Sequence, residues 1–375
     1  LKIAIDGRKL IGNRTGIGNY LFGILEELFL VDQKNKYFIF VDQKPEMKFS
    51  NQNVEYIEIA TLKNTIKNEK LYSFLWLNLF IVPRLLREKI DIFWGPNFVK
   101  PLVFPNKKTI VTIHDLAFIR NKEDHSTIHA LYLKYYLKLF VNKNLNVLTV
   151  SDYSKNDIIS EFNIPEDRIN VTYCALSSNV NVNSIKKPSL KLPEEYCLFV
   201  GTLEKRKNLK LILNALSYSI KNNLNVIPLV VVGAKGNGLE QIQKLIKKLK
   251  IEEYVYFTGY VTEEELAYIY KHAKLFIFPS LYEGFGIPLL EAMKYGVPII
   301  ASKTTSLPEV AQDAAVFIDP FSIQELSHVI NELLLNDNLR NELVEKGKKR
   351  LSFFSWKKSA KVFLDVINKM EGEQK

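Results

Sequence analysis

The chain has 375 residues, of which 47% are hydrophobic and 25% charged. At roughly one domain per 100–200 residues this makes two or three packed domains, and it excludes a disordered chain, a collagen and a disulfide-stapled miniprotein. The formal net charge is +10, with 24 Lys/Arg against 19 Asp/Glu in residues 1–180 and 27 against 22 in residues 181–375, so each half carries +5 and no basic tail explains the balance. An even excess suits an anionic ligand or a loose hold on an acidic membrane face, and no nucleic-acid reading motif accompanies it. Cys174 and Cys197 read as buried free thiols, with too few Cys and His nearby for a zinc cage. No secretory leader is expected in Leu1–Asp6. The most apolar run, Leu71–Leu86, is broken by Asn78, Pro83 and Arg84 and falls short of the ~20 residues a membrane span needs, so a cytoplasmic protein is expected.

Strands are expected at Lys2–Asp6, Tyr37–Val41, Val54–Ala60, Asp91–Trp94, Thr109–Ile113 and Val147–Val150, with helices at Gly18–Leu30 and Ile128–Val141. Several strands are short continuous apolar runs, as in parallel sheets covered on both faces. The plan then repeats. Strands are expected at Cys197–Val200, Ile227–Val232, Val255–Phe257, Leu275–Phe278, Pro298–Ala301 and Ala315–Ile318, with helices at Asn208–Ile220, Leu239–Leu249, Ile323–Leu335, Leu339–Leu351 and Trp356–Met370. Two alternating series imply an α/β chain of two doubly wound, Rossmann-like parallel-sheet domains. The polar stretch 179–192 reads as a linker between an N-terminal domain, 1–178, and a C-terminal domain, 193–355. The last helix, 356–375, is expected to pack back on the first domain. In such folds ligands bind beyond the carboxyl ends of the strands.

Five strand-end loops carry candidate chemistry. Gly12–Gly18 opens a helix, where glycines and exposed N–H groups favour an anion; a tight turn is the structural alternative. His114-Asp115 follows the fifth strand. Function concentrates at that end of a parallel sheet, and Asp115 either orients the imidazole or caps the next turn. Gly201-Thr202-Leu203-Glu204-Lys205-Arg206-Lys207 puts cations at a helix start, against the helix dipole, which a bound diphosphate would offset. Glu283-Gly284-Phe285-Gly286-Ile287-Pro288-Leu289-Leu290-Glu291 sets two carboxylates eight residues apart, Glu283 in the loop and Glu291 about two turns into a helix, a pairing suited to sugar hydroxyls; a capping acid plus a surface acid is the structural alternative. Finally, Ser306 and Glu309 either reach the same site or form a capping box.

At Glu283–Glu291 the pattern becomes familiar. E-G-F-G-I-P-L-L-E-A-M resembles the E-x7-E signature of retaining group 1 (family 4) glycosyltransferases, which have the GT-B fold of two domains facing across a cleft. T-G-I-G-N-Y, V-T-I-H-D-L-A-F, V-G-T-L-E-K-R-K-N-L, F-T-G-Y-V and S-L-P-E-V-A-Q-D-A-A resemble family segments in family order, so the likeness spans nearly the whole chain. F-W-G-P-N-F-V is similar to the branch of bacterial mannosyltransferases of polysaccharide assembly. The resemblance implies that Gly16 lies near the donor diphosphate and His114 beside the transferring sugar. It implies that Arg206 and Lys207 neutralise the diphosphate, beside Gly201 and Thr202. Glu283 and the backbone of Gly284, Phe285 and Gly286 would then hold the sugar, Glu291 the ribose, and Gly259, Tyr260 and Val261 the base, with Ser306 and Glu309 nearby. Many family members carry Arg where this chain has Thr202, which shifts the load onto Arg206, Lys207 and helix N-termini.

The expected partners are thus a nucleotide sugar, best GDP-mannose, and a glycan or lipid-linked acceptor, with no cofactor or metal required, since no Asp-x-Asp pair occurs. Lipid-linked acceptors suggest peripheral contact with an anionic membrane through Tyr72, Phe74, Trp76 and Phe80 near Arg84 and Arg87, and through Tyr132, Lys134, Tyr135, Tyr136 and Lys138. The alternative is that these aromatics are core. A dinucleotide oxidoreductase fits less well, because Gly233–Gly238 has the wrong glycine spacing. A nucleotide-sugar epimerase and a non-catalytic binding module are the other rivals.

Overall fold

The computed structural model describes all residues except 13–15, 46–47, 60–65, 121–126, 177–184, 235, 237 and 374–375, and the side chains of 127–132. The chain divides into two compact units. The first comprises Leu1–Ile119, Thr127–Ala175 and Ser355–Lys375; Leu176–Phe354 form the body of the second.

Unit 1 contains β1 (Lys2–Asp6), α1 (Gly16–Val31), β2 (Lys36–Val41), β3 (Val54–Glu58), α2 (Glu69–Leu75), α3 (Val82–Arg87), β4 (Ile92–Gly95), β5 (Thr109–Thr112), α4 (Ala117–Arg120), α5 (Thr127–Phe140), β6 (Asn146–Thr149), α6 (Asp152–Phe162) and β7 (Ile169–Val171). Its seven strands run parallel in the order β3-β2-β1-β4-β5-β6-β7. Every residue of β4, β5 and β6 is buried, which is why these segments carry no polar alternation.

Unit 2 contains β8 (Cys197–Val200), α7 (Leu209–Lys221), β9 (Leu229–Val232), α8 (Leu239–Leu249), β10 (Val255–Gly259), α9 (Glu263–Lys271), β11 (Leu275–Phe278), α10 (Ile287–Tyr295), β12 (Ile299–Ser302), α11 (Leu307–Ala311), β13 (Ala315–Ile318), α12 (Ile323–Leu335) and α13 (Asp337–Leu351). Its six strands are also parallel, in the order β10-β9-β8-β11-β12-β13.

The last helix, α14 (Trp356–Gly372), belongs to unit 1. A Cβ at Gly23 of α1 would stand 2.4 Å from the Trp356 ring, so glycine is what admits the indole against that helix. Trp94 of β4 and Phe363 pack with ring centroids 4.3 Å apart, and Ser359 Oγ donates to the Tyr173 carbonyl at 2.6 Å.

The strand order decides where chemistry can gather. In unit 2 the order reverses between β8 and β11, so the loops leaving their carboxyl ends meet at the topological switch point of the sheet. Those two loops carry the cations and the first carboxylate of the sequence motif.

Candidate functional site

In unit 2 the loop after β8 closes with a 3-10 turn over Lys205–Lys207, and Asn208 takes a left-handed conformation, φ 58°. The Asn208 amide donates to the carbonyls of Pro279 (3.1 Å) and Pro320 (2.8 Å), tying the loop to the ends of β11 and β13. The Leu281 N–H donates to the Arg206 carbonyl at 2.7 Å. Gly233 supports the loop from behind. At φ 150° a side chain there is strained, and its Cβ would lie 2.1 Å from the Gly201 carbonyl oxygen. The glycines after β9, unsuited to a dinucleotide fingerprint, thus serve close packing of two loops.

Arg206 and Lys207 converge on Glu283. Lys207 Nζ donates to Glu283 Oε1 at 2.5 Å, Arg206 Nη1 to Glu283 Oε2 at 3.2 Å, and Arg206 Nε to Glu204 at 2.9 Å. Lys207 also lies 5.2 Å above the Phe278 ring. Glu283 is only 7% exposed. Burial works to raise its carboxyl pKa, but Lys207 and Arg206 outweigh that and hold it below the usual glutamate range. The cations keep 20% (Arg206) and 11% (Lys207) of their side chains open. They therefore do not stand exposed against a helix dipole, as the sequence suggested. An internal carboxylate already offsets their charge.

The loop after β11 is fixed from β12. The Glu283 N–H donates to Thr305 Oγ1 at 3.2 Å, and the buried Ser306 hydroxyl lies 3.0 Å from both the Glu283 and Phe285 carbonyls. Ser306 makes no side-chain cap, which corrects the capping-box alternative: its hydroxyl is turned to the neighbouring loop. Glu309 sits in the first turn of α11, whose backbone is held by Arg350 through the Glu309 and Val310 carbonyls at 2.8 and 2.9 Å. The Phe285 ring packs edge-on against Phe354 in the core, and Gly284 and Gly286 on either side of it are buried as well. Gly286 has φ 101° and ends the loop as the cap of α10, with Pro288 in the first turn.

Glu291 lies one turn inside α10 rather than two, because the helix starts at Ile287. It is half-buried and accepts a hydrogen bond from Tyr270 of α9 at 2.8 Å. Burial raises its carboxyl pKa, partly countered by the Tyr270 hydroxyl. At the end of β10, Gly259 has φ 69° with open space where a Cβ would be, Val261 is half-buried, and Tyr260 is 85% exposed, a flat aromatic surface offered to solvent.

In unit 1, His114 follows β5 and lies between the edges of Tyr20 and Phe98, with ring centroids 4.9 and 5.7 Å away. Burial pushes its pKa down to about 4, against a smaller opposing effect from the Pro96 carbonyl 2.9 Å from Nε2. The ring is neutral at pH 7. A carbonyl partner requires the proton on Nε2, which leaves Nδ1 as a hydrogen-bond acceptor. Asp115 accepts from the Ala117 N–H at 2.9 Å, at the start of α4. Gly16 opens α1 in an exposed position, and the loop residues 13–15 before it lie outside the described residues.

The aromatic segment resolves into core and surface. Tyr72, Trp76 and Tyr136 are buried, which corrects their assignment to a membrane face, whereas Leu71, Phe74, Leu79, Leu86, Tyr135 and Leu139 are exposed. The Tyr132 side chain lies outside the described residues. No described helix is long and apolar enough to cross a membrane.

Two doubly wound, wholly parallel units define the chain as a GT-B protein. It covers 99% of the sucrose-phosphate synthase from Thermosynechococcus elongatus over 99% of its own length, with TM-score 0.74 at 16% identity. The model for glycosyl transferases group 1 matches residues 181–350, and that for glycosyltransferase family 4 matches residues 16–179. The chain is 31% identical to O-antigen chain mannosyltransferase B of Escherichia coli over 91% of this chain and 93% of that one. It is 29% identical to the serotype-specific mannosyltransferase WbdA of Escherichia coli over 70% of its length, spanning about a third of that relative (34%). The chain belongs to the group 1 glycosyltransferases.

Proposed function

We propose that the chain is a retaining, metal-independent hexosyltransferase that moves mannose from GDP-mannose to a glycan or lipid-linked acceptor in cell-surface polysaccharide assembly. The observation that carries the reading is the convergence of Arg206, Lys207 and Glu283 at the strand-order reversal of unit 2. The mannosyl donor and polysaccharide setting rest on the activities named for its relatives.

In this reading the donor diphosphate lies against Arg206 and Lys207. The bond between the anomeric carbon and the phosphate oxygen breaks with its electron pair going to the diphosphate, whose growing charge the two cations stabilise in place. The acceptor oxygen bonds the same face of the sugar, and its proton passes to the leaving phosphate. The products are a glycoside with the donor's anomeric configuration and a nucleoside diphosphate. Glu283 and the Gly284–Gly286 backbone hold sugar hydroxyls, Glu291 the ribose, and Tyr260 the base. His114 accepts a sugar hydroxyl through Nδ1, and its low basicity makes it a poor proton acceptor at pH 7. Gly16 lies near the diphosphate, while Ser306 and Thr305 hold the Glu283 loop in place.

A thermal-shift screen of GDP-, UDP-, ADP- and dTDP-sugars tests the donor. A ligand at 100 times its dissociation constant adds about 2.7 kcal/mol, so the GDP-sugar is expected to raise Tm most. Activity unchanged by EDTA is the expected sign of metal independence. For a lipid-linked acceptor, the exposed Leu71, Phe74, Leu79, Tyr135 and Leu139 with Arg84, Arg87 and Lys138 form the proposed peripheral membrane face. Co-sedimentation with anionic vesicles that weakens with salt is expected, at about 1 kcal/mol per cation near the surface. Equal recovery with neutral vesicles would remove the electrostatic part.

A further inference from the structure

We infer that Tyr270 is a positioning residue for the donor nucleotide, acting through Glu291; the inference rests on the reading that Glu291 accepts from the ribose. Tyr270 is completely buried in α9, and its hydroxyl reaches the Glu291 carboxylate at 2.8 Å across the contact between α9 and α10. Its ring is held on two sides, stacked on Tyr295 with centroids 5.7 Å apart and tilted against Phe276 of β11 at 5.5 Å. A ring packed this way has one orientation, so its hydroxyl sets the orientation of the carboxylate.

The bond takes up one Glu291 oxygen, Oε2, and directs the carboxylate's other lone pairs to whatever approaches the half-buried side. It also biases protonation. Burial favours the neutral acid, and so does Glu263 at the start of α9. The Tyr270 hydroxyl and Lys294 of α10 favour the carboxylate. Among the described residues, α13 also packs on α10, with Gly347 beside Met293 and Val344 beside Gly296. Tyr270 itself stays protonated, because burial and the neighbouring Glu291 raise its pKa well above the ordinary tyrosine value. It is therefore a donor at every working pH, and in this reading it partly offsets the burial that favours the neutral form of Glu291.

The test is GDP affinity by calorimetry between pH 5 and 9, with UDP in parallel, for the wild-type chain, Tyr270→Phe, Glu291→Gln and the double variant. Phenylalanine keeps the buried ring and removes only the hydroxyl. Tyr270→Phe is expected to weaken GDP roughly tenfold at pH 7, and the loss of affinity on acidification should set in at higher pH than in the wild type. Glu291→Gln supplies the background from phosphate titration, and adding Tyr270→Phe to it should change affinity less than about twofold. If Glu291→Gln weakens GDP but Tyr270→Phe follows the wild-type profile, the role of Tyr270 is overturned alone. If Tyr270→Phe weakens GDP as much without Glu291 as with it, its role is packing and the inference is overturned. If Glu291→Gln binds as the wild type does, the ribose reading falls and the inference with it.

Discussion

Glu283→Gln separates two things the Glu283 carboxylate does at once. It neutralises Arg206 and Lys207 in the free protein and, in the proposed reaction, it holds the sugar. The substitution keeps the shape and an acceptor oxygen but removes the charge, leaving Lys207 and Arg206 facing a neutral group where contacts of 2.5 and 3.2 Å stood. Breaking a buried ion pair from one side costs about 3–5 kcal/mol. The cations here keep partial exposure and a hydrogen-bond partner, so a loss of about 2–3 kcal/mol of stability is expected at pH 7. A nucleoside diphosphate should then bind tighter, because it no longer shares the cations with an internal anion. If the gain is tenfold, GDP at 100 times its wild-type dissociation constant stabilises the wild type by about 2.7 kcal/mol and the variant by about 4.1 kcal/mol. Transfer should nonetheless fall by on the order of 10²-fold, chiefly in kcat, because the sugar is then held by a neutral amide rather than a charged acceptor. Denaturant melts with and without GDP, alongside a turnover assay, read all three quantities. A variant that binds GDP more weakly than the wild type would show that the carboxylate does not compete for the cations, and would refute this reasoning.

Arg206→Ala and Lys207→Ala should each cost about 2–4 kcal/mol in kcat/KM for the donor, measured by nucleotide release, while the protein stays folded. Because the folded Glu283 carboxyl titrates below its unfolded value, the unfolded chain binds more protons as pH falls. The contribution of this site is therefore full above the ordinary glutamate range and lost on acidification; Glu283→Gln should show a shallower acid decline in urea stability. His114 has the same sign for a different reason. Its folded pKa of about 4 means stability falls between about pH 6.5 and 4, whereas the transfer rate should show no inflection near pH 6.5, and His114→Phe should remove the first effect. Ser306→Ala leaves the Glu283 and Phe285 carbonyls without their hydroxyl partner, at about 1–3 kcal/mol of stability by thermal melt, and should raise the donor KM.

The strands were legible wherever burial on both faces forced continuous apolar runs, as in Thr109–Thr112 and Leu275–Phe278. Strand β7 was not, because three residues, Ile169–Val171, carry no period. Helix α9 carries its start signal in Thr262-x-x-Glu265, a capping box made in full. Residue types singled out Arg206, Lys207 and Glu283 as candidates, but not that Glu283 binds the cations directly, since residues 76 apart in sequence give no sign of touching. The partnership of Tyr270 with Glu291, across two helices, was invisible for the same reason. In the aromatic segment, periodicity marked a helix without saying which face was inward. The structure turns Tyr72 and Trp76 into the core and leaves Leu71 and Phe74 outside.

The most direct test of the central claim is the product itself. GDP-mannose is incubated with the chain and a mannose-terminated acceptor, GDP release is followed with and without acceptor, and the new linkage is read by NMR. Acceptor-dependent GDP release with the donor's anomeric configuration kept, lost together in the Arg206→Ala/Lys207→Ala double variant, is the predicted result. An inverted linkage, or full turnover in that double variant, would contradict the account.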